Sequence, residues 1–267
     1  MPGEIVLGGS GPVAVVQLTH AGKYNAMSRA MWRQLAEVFR AIQSEAQADA
    51  RWRCVLVQGA DGHFCAGGDI AEYPGFRFDR ERLRAFHEEE VWGGLQAMLD
   101  CDVPIVAAIA GNCMGAGVEI ASTCDIRVAA DSARFGAPIA KLGFPMAPRE
   151  AALVAGALGD ATAREMLLEA AVLGAAELRQ RGFLQAVLPA DELLAHAQTR
   201  AARIAALSPQ AARLNKQTLR ALKQPAALDG QAQAAMQLIV NGAYDYADSA
   251  EHREGIDAFL AKRPARF

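Results

Sequence analysis

Pro104-Ile105-Val106-Ala107-Ala108-Ile109-Ala110, running directly into Gly111-Asn112-Cys113-Met114-Gly115-Ala116-Gly117-Val118-Glu119-Ile120, decides how this chain is read. The first seven residues are apolar throughout, which predicts a strand buried on both faces. The next seven put small residues where backbone must approach something closely, and they lead into a helix. The same order recurs upstream. Arg53 to Gln58 reads as a strand ended by Gly59, and Phe64-Cys65-Ala66-Gly67-Gly68-Asp69-Ile70 follows it. Val13 to Leu18 and Ile126 to Ala129 read as further strands. Ser28 is placed to cap a helix carrying Leu35, Val38, Phe39 and Ile42 on one face. Strands alternating with helices make the class α/β with crossover connections.

Ala161 to Ala171 and Pro189 to Leu207 read as Ala-rich helices, the second with Asp191 and Glu192 in its first turn. From about Ala190 onward the strand signal ends. Gln210 to Lys223, Gln231 to Ala247 and Ala250 to Ala261 are the expected helices of a tail. That tail is expected to pack on its own core or on another subunit.

Composition narrows the function. The 267 residues are 52% hydrophobic and 21% charged, enough for a large core and against disorder. A net charge of −3 argues against a general nucleic-acid or anionic-membrane surface. No apolar run approaches the roughly 18 residues of a membrane span. The first residues lack the basic start of a signal peptide. Five cysteines without a CxxC pair read as reduced thiols, with no zinc signature. A cytoplasmic protein is expected.

The two glycine-rich loops carry the chemistry. Free N–H groups at the start of the helix after Gly115 favour an anion. Two such loops, each donating one N–H to a single oxygen, would form an oxyanion hole. The plainer alternatives are a tight turn at Gly67-Gly68 and a close helix–strand contact at Gly115 to Gly117. Neither loop matches a phosphate-binding motif or a serine-hydrolase elbow.

Phe64 to Ile70, with the Gly111 to Asp125 segment ending in Cys124-Asp125-Ile126, resembles the enoyl-CoA hydratase/isomerase (crotonase) superfamily. The likeness continues in Lys23-Tyr24-Asn25-Ala26-Met27, Phe135-Gly136-Ala137-Pro138, Leu142-Gly143, Leu173 to Phe183 and Glu254 to Phe267. It implies a core spiral of ββα units over residues 1–190 and a helical oligomerisation region over 191–267, building a homotrimer or homohexamer. It implies an acyl-CoA substrate, with coenzyme A entering as part of that substrate and no other cofactor. By the same resemblance the oxyanion hole falls on the amides of Gly68 and Ala116, where the family usually has glycine at the second position. Alanine keeps the N–H. Lys23, Tyr24, Ala26, Ala66, Asp69, Ile70, Gly115 and Lys262 are the residues the resemblance places against coenzyme A, with Arg263 a further candidate for its phosphates.

Glu119 lies three residues beyond Ala116, inside an apolar stretch where a carboxylate is expensive to bury without a task. The family's first catalytic glutamate falls here, and burial is expected to raise its pKa. The family's second glutamate position is Ile139, which has no proton to exchange. Ala147, where some relatives carry an acid, is also empty. Glu150 is expected to be a charge at a helix start. The Ala71 to Trp92 segment offers Tyr73 and His87 as pocket candidates, while its glutamates read mostly as solvated helix face. His63, Asp69 and Asp125 read as structural.

The expected activity is hydration of an enoyl-CoA, with Glu119 exchanging protons at an enolate. Isomerisation or decarboxylation on the same fold is the alternative, and a non-catalytic acyl-CoA-binding protein is the third reading.

Overall fold

The structure, a computed structural model, describes residues 2–9, 11–49, 51–223 and 249–267. Two strands open the chain, β1 (Glu4–Gly8) and β2 (Val13–Thr19), and α1 (Arg29–Asp49) follows. β2 buries Ala14, Val16 and Leu18 on one face, the alternation of a half-covered strand. α1 buries Trp32, Leu35, Phe39, Ile42 and Ala46, spaced three and four apart as a helix face requires. Its start is capped as expected, with Ser28 Oγ accepting from the Met31 amide at 3.2 Å.

β3 (Cys54–Gly59) leads through the Phe64 to Ile70 loop into a 3₁₀ turn, Ile70–Gly75. Then come α2 (Arg80–Ala85), a π-helical stretch Phe86–Val91, and α3 (Trp92–Asp100). β4 (Ile105–Ile109) is buried at every residue, as its apolar run predicts. β5 (Asn112–Met114), α4 (Ala116–Thr123), β6 (Ile126–Ala130), β7 (Arg134–Gly136), α5 (Pro148–Leu158) and α6 (Asp160–Leu168) follow in order. β8 (Val172–Gly174), α7 (Ala175–Gln180), β9 (Ala186–Leu188), α8 (Leu193–Ala205), α9 (Pro209–Lys223) and a helix Ala250–Leu260 complete the described chain.

The strands form two sheets. One has six strands in the order β1-β2-β3-β4-β6-β9, and the other has three, β5-β7-β8. β1 meets β2 antiparallel, and the rest of the large sheet is parallel. β4 sends its chain to β5 and then α4, while β6 sends its chain to β7 and the helices after it. Each turn therefore leaves one strand in each sheet before a helix, the ββα spiral that the resemblance implies. Where β3 would contribute its own second strand, only isolated bridges form, Cys65 beside Cys113 and Gly68 beside Met27.

The tail partly rejoins the core. α8 buries Leu193, Ala197, Ala201 and Ala205 in the main hydrophobic cluster, although it lies beyond residue 190. That boundary marks where strands end, not where the core ends. α8 starts later than Pro189, and Asp191 and Glu192 form the turn before it instead of its first helical turn. α9 is tied down by polar contacts: Lys216 Nζ lies 2.7 Å from Asp125, and Arg220 lies 2.9 Å from Asp102. The expected helix Gln231 to Ala247 lies outside the described residues.

Candidate active site

The site is built first from backbone. Gly115 adopts φ 46°, ψ −108°, a conformation that L residues rarely adopt, and this turns β5 into α4. Its amide donates to Gly136 O at 2.8 Å, so β7 holds the turn in place. Opposite it, Gly67 sits at φ 112°. A Cβ on Gly67 would lie 3.5 Å from Met114 O, and one on Gly115 would lie 3.7 Å from Gly67 Cα, so the two loops touch through their glycines.

Ladder geometry then fixes which amides are left over. Met27 pairs with Gly68 as a parallel bridge, with the Met27 amide donating to Gly67 O and the Asp69 amide donating to Met27 O, both at 2.8 Å. That pattern uses the residues on either side of Gly68 and turns the Gly68 N–H the other way. Ala116 is the first residue of α4, so its N–H has no intrahelical acceptor. Among the described residues neither amide is given a hydrogen-bond partner. Both residues line one cavity of about 210 Å³. Gly117 completes the packing, since a Cβ there would lie 2.6 Å from Cys65 O.

Side chains make the other wall. Glu119 lies one turn into α4 and lines the cavity while its residue is only 7% exposed. Its carboxyl has no hydrogen-bond partner among the described residues. Burial, and after it the negative charge of Glu150, hold that carboxyl well above the usual carboxylate range.

Glu150 takes the helix-start position expected from the sequence, and it also reaches the cavity. It stands in the first turn of α5 and is 3% exposed. Its Oε1 lies 2.9 Å from His87 Nδ1. His87 comes from the π-helical stretch Phe86–Val91, where the widened turn carries the ring over the cavity. The pair joins segments 63 residues apart, so no local pattern announces it. The two pocket candidates from Ala71 to Trp92, Tyr73 and His87, both line the cavity. Ile139 lines it too and offers only hydrocarbon. Arg77, Phe144 and Met146 also line it, and sequence reasoning missed all three.

The remaining expected residues sort themselves by contact. Ala66, Ile70 and Gly115 line the cavity. Asp69 is buried, accepts from the Ala71 amide at 3.3 Å, and binds Lys23 Nζ at 2.6 Å. Lys23 thus closes one edge of the Gly67-Gly68 loop. Tyr24 is 58% exposed and tilts over His63, with ring centroids 4.5 Å apart. Ala26 is buried, its carbonyl 2.7 Å from His20 Nδ1. Lys262 is exposed in the turn after the last helix and does not line the cavity, and Arg263 is engaged with Glu254 at 2.7 Å. Asp125 accepts from the Ile105 amide at 2.8 Å, a structural role as expected. Two glutamates expected on a solvated face are in fact tied down. Glu72 accepts from the Arg29 amide at 2.8 Å, and Glu90 binds Arg29 at 2.6 Å. No helix among the described residues is long and apolar enough to cross a membrane.

Two spiral sheets, paired glycine loops and a buried glutamate one turn into α4 define a crotonase-type fold. A model of the family described as Enoyl-CoA hydratase/isomerase matches residues 8–267, and the chain belongs to that family. A solved enoyl-CoA hydratase/carnithine racemase from Magnetospirillum magneticum superposes with a TM-score of 0.90 at 34% identity, covering 98% of this chain and 94% of that one. The 2,3-dehydroadipyl-CoA hydratase of Escherichia coli K12 is 29% identical over 266 residues, 99% of this chain and 98% of its own. A mitochondrial Delta(3,5)-Delta(2,4)-dienoyl-CoA isomerase of Rattus norvegicus is 36% identical over 131 residues, 45% of this chain and 38% of its own.

Proposed function

We propose that this chain hydrates a 2-enoyl-CoA through an enolate held by the amides of Gly68 and Ala116. One observation carries the reading: two buried carboxyls, Glu119 and Glu150, line the same cavity as the two unpartnered amides. Hydration needs both kinds of group. Water adds to C3 while electrons move onto the thioester oxygen, where two fixed N–H donors stabilise the charge. The attacking water must lose a proton, and C2 must gain one.

Environment divides these tasks. Glu119, whose proton affinity is raised by burial and then by its neighbour's charge, suits delivery of the proton to C2. Glu150, oriented by its bond to His87, suits acceptance of the proton from water. Ile139 then contributes a hydrocarbon wall, and Glu150 supplies from α5 the carboxylate that position 139 lacks. Solvent returns the transferred proton after product leaves.

The partial likeness to a dienoyl-CoA isomerase keeps a second reading in view, in which the same carboxyls shuttle a proton between carbons. Incubation with 2-enoyl-CoAs of several chain lengths, following loss of the conjugated thioester absorbance, decides between them. Hydration is the expected result. Inertness at every length, with turnover of a 3-enoyl-CoA or a dienoyl-CoA, would replace hydration by isomerisation. Turnover of malonyl-type thioesters alone would make the chain a decarboxylase, and tight coenzyme A binding without any turnover would make it a binding protein. The family reading also carries a cytoplasmic homotrimer or homohexamer, which light scattering checks for size.

A further inference from the structure

We infer that Tyr73 is a further catalytic residue, its hydroxyl serving as a third donor to the thioester oxygen beside the Gly68 amide. The inference rests on the oxyanion reading above and extends it to a side chain. Gly68 is not among the residues at positive φ, so its conformation does not call for glycine. Space does. A Cβ on Gly68 would stand 2.2 Å from Tyr73 Oη and 3.2 Å from Cζ, so the phenol lies against the bare Cα. The residue whose amide is proposed to hold the substrate oxygen is therefore also the residue that touches this hydroxyl.

The ring is held firmly, but its hydroxyl is free. Phe76, Phe86 and Phe144 meet the ring edge-on, with centroids 5.8, 6.4 and 6.1 Å away. The Arg77 guanidinium sits over its face at 4.7 Å. The 3₁₀ turn that carries Tyr73 is capped by Asp69, and Asp69 is pinned by Lys23. Tyr73 is half-buried, and its Oη has no hydrogen-bond partner among the described residues. An ordered donor without an acceptor, facing a cavity, is complementary to an oxygen that arrives with the ligand. Burial, with the charges of Glu119, Glu150 and Asp69, raises the phenol's pKa against the lowering effect of Arg77, which keeps the proton on oxygen as a donor requires.

The test compares the unaltered chain with Tyr73→Phe, using turnover of a 2-enoyl-CoA and binding of acetoacetyl-CoA, whose enolate absorbs distinctly. The expected result is a fall of about 10²-fold in kcat, the usual scale for one oxyanion donor, with KM nearly unchanged. Enolate binding should weaken along with kcat, while binding of free coenzyme A stays constant. Unchanged kcat and enolate binding, or a loss confined to KM, would overturn the proposal. Phenylalanine removes only an unpartnered hydroxyl, so the fold should stand. If melting shows otherwise, 3-fluorotyrosine at position 73 takes its place, and its more acidic phenol should shift the alkaline limb of kcat to lower pH. No shift would count against the role. Enolate binding is read independently of turnover: a chain that binds the enolate through Tyr73 but hydrates nothing overturns the hydratase reading alone, and one that binds no enolate overturns both.

Discussion

The cavity has two walls made in different ways. One is backbone: Gly67, Gly68, Gly115 and Ala116, brought together because glycines allow two loops to touch. The other is side chain: Glu119, Glu150, His87 and Tyr73, carried by α4, α5, a π-helical stretch and a 3₁₀ turn. The backbone wall is fixed by ladder bonds on both sides of the Gly68 amide and by the Gly115 amide's bond to Gly136 O just before Ala116, so it is preorganised without a ligand. The side-chain wall draws its chemistry from burial and from like charges held close. A stabiliser of developing charge must not move, whereas an acid and a base must differ in proton affinity.

Removing the acid should give the largest effect. Glu119→Gln keeps shape and removes the proton donor, and kcat on a 2-enoyl-CoA should fall by about 10³-fold with binding retained. If the loss were under about tenfold, the side-chain wall would not carry the proton transfer.

Deleting a backbone donor comes next. Ala116 is the first residue of a helix, a position that proline tolerates well. Ala116→Pro therefore removes the N–H while sparing α4, and kcat should drop by about 10²-fold with little change in melting temperature. A variant as active as the parent would show that the Ala116 amide holds nothing.

Glu150→Gln sharpens the contrast between the paired carboxyls. It should lower kcat and, by removing the negative charge that helps raise Glu119, move the Glu119 limb of the pH profile to lower pH. A profile that keeps its midpoint would mean that burial alone sets the proton affinity of Glu119.

The smallest effect is on stability. A carboxyl whose pKa is raised by folding favours the fold below its unfolded pKa, and that contribution is lost as pH rises through the folded value. Glu119→Gln should therefore melt close to the parent near pH 4 and progressively higher than the parent toward alkaline pH. Parallel melting curves across that range would contradict the burial argument.

The two glycine turns of the backbone wall were legible in the sequence because their cause is local, whereas pairing the Gly68 and Ala116 amides came from the family resemblance. Small residues after an apolar strand leave few other ways for the chain to turn, and Glu119 stands out as a charge in an apolar helix. Asp125 at a strand entry also read correctly as structural. The place of Glu150 at a helix start was legible, but its place at the cavity was not. Its position in a helix start has an ordinary explanation, and its partner His87 lies in a stretch whose π-helical turn has no simple sequence signature. Glu72 and Glu90 misled for the same reason, since Arg29 lies on a distant segment. Periodicity placed the buried strands within a residue or so, but the three short strands of the smaller sheet are too brief to show alternation.

A crystal structure with acetoacetyl-CoA bound tests the central claim most directly. The account predicts the thioester oxygen about 2.7–3.1 Å from both the Gly68 and the Ala116 nitrogens, with the Glu119 carboxyl beside C2. An oxygen that meets neither amide, or a C2 that faces away from Glu119, would contradict it.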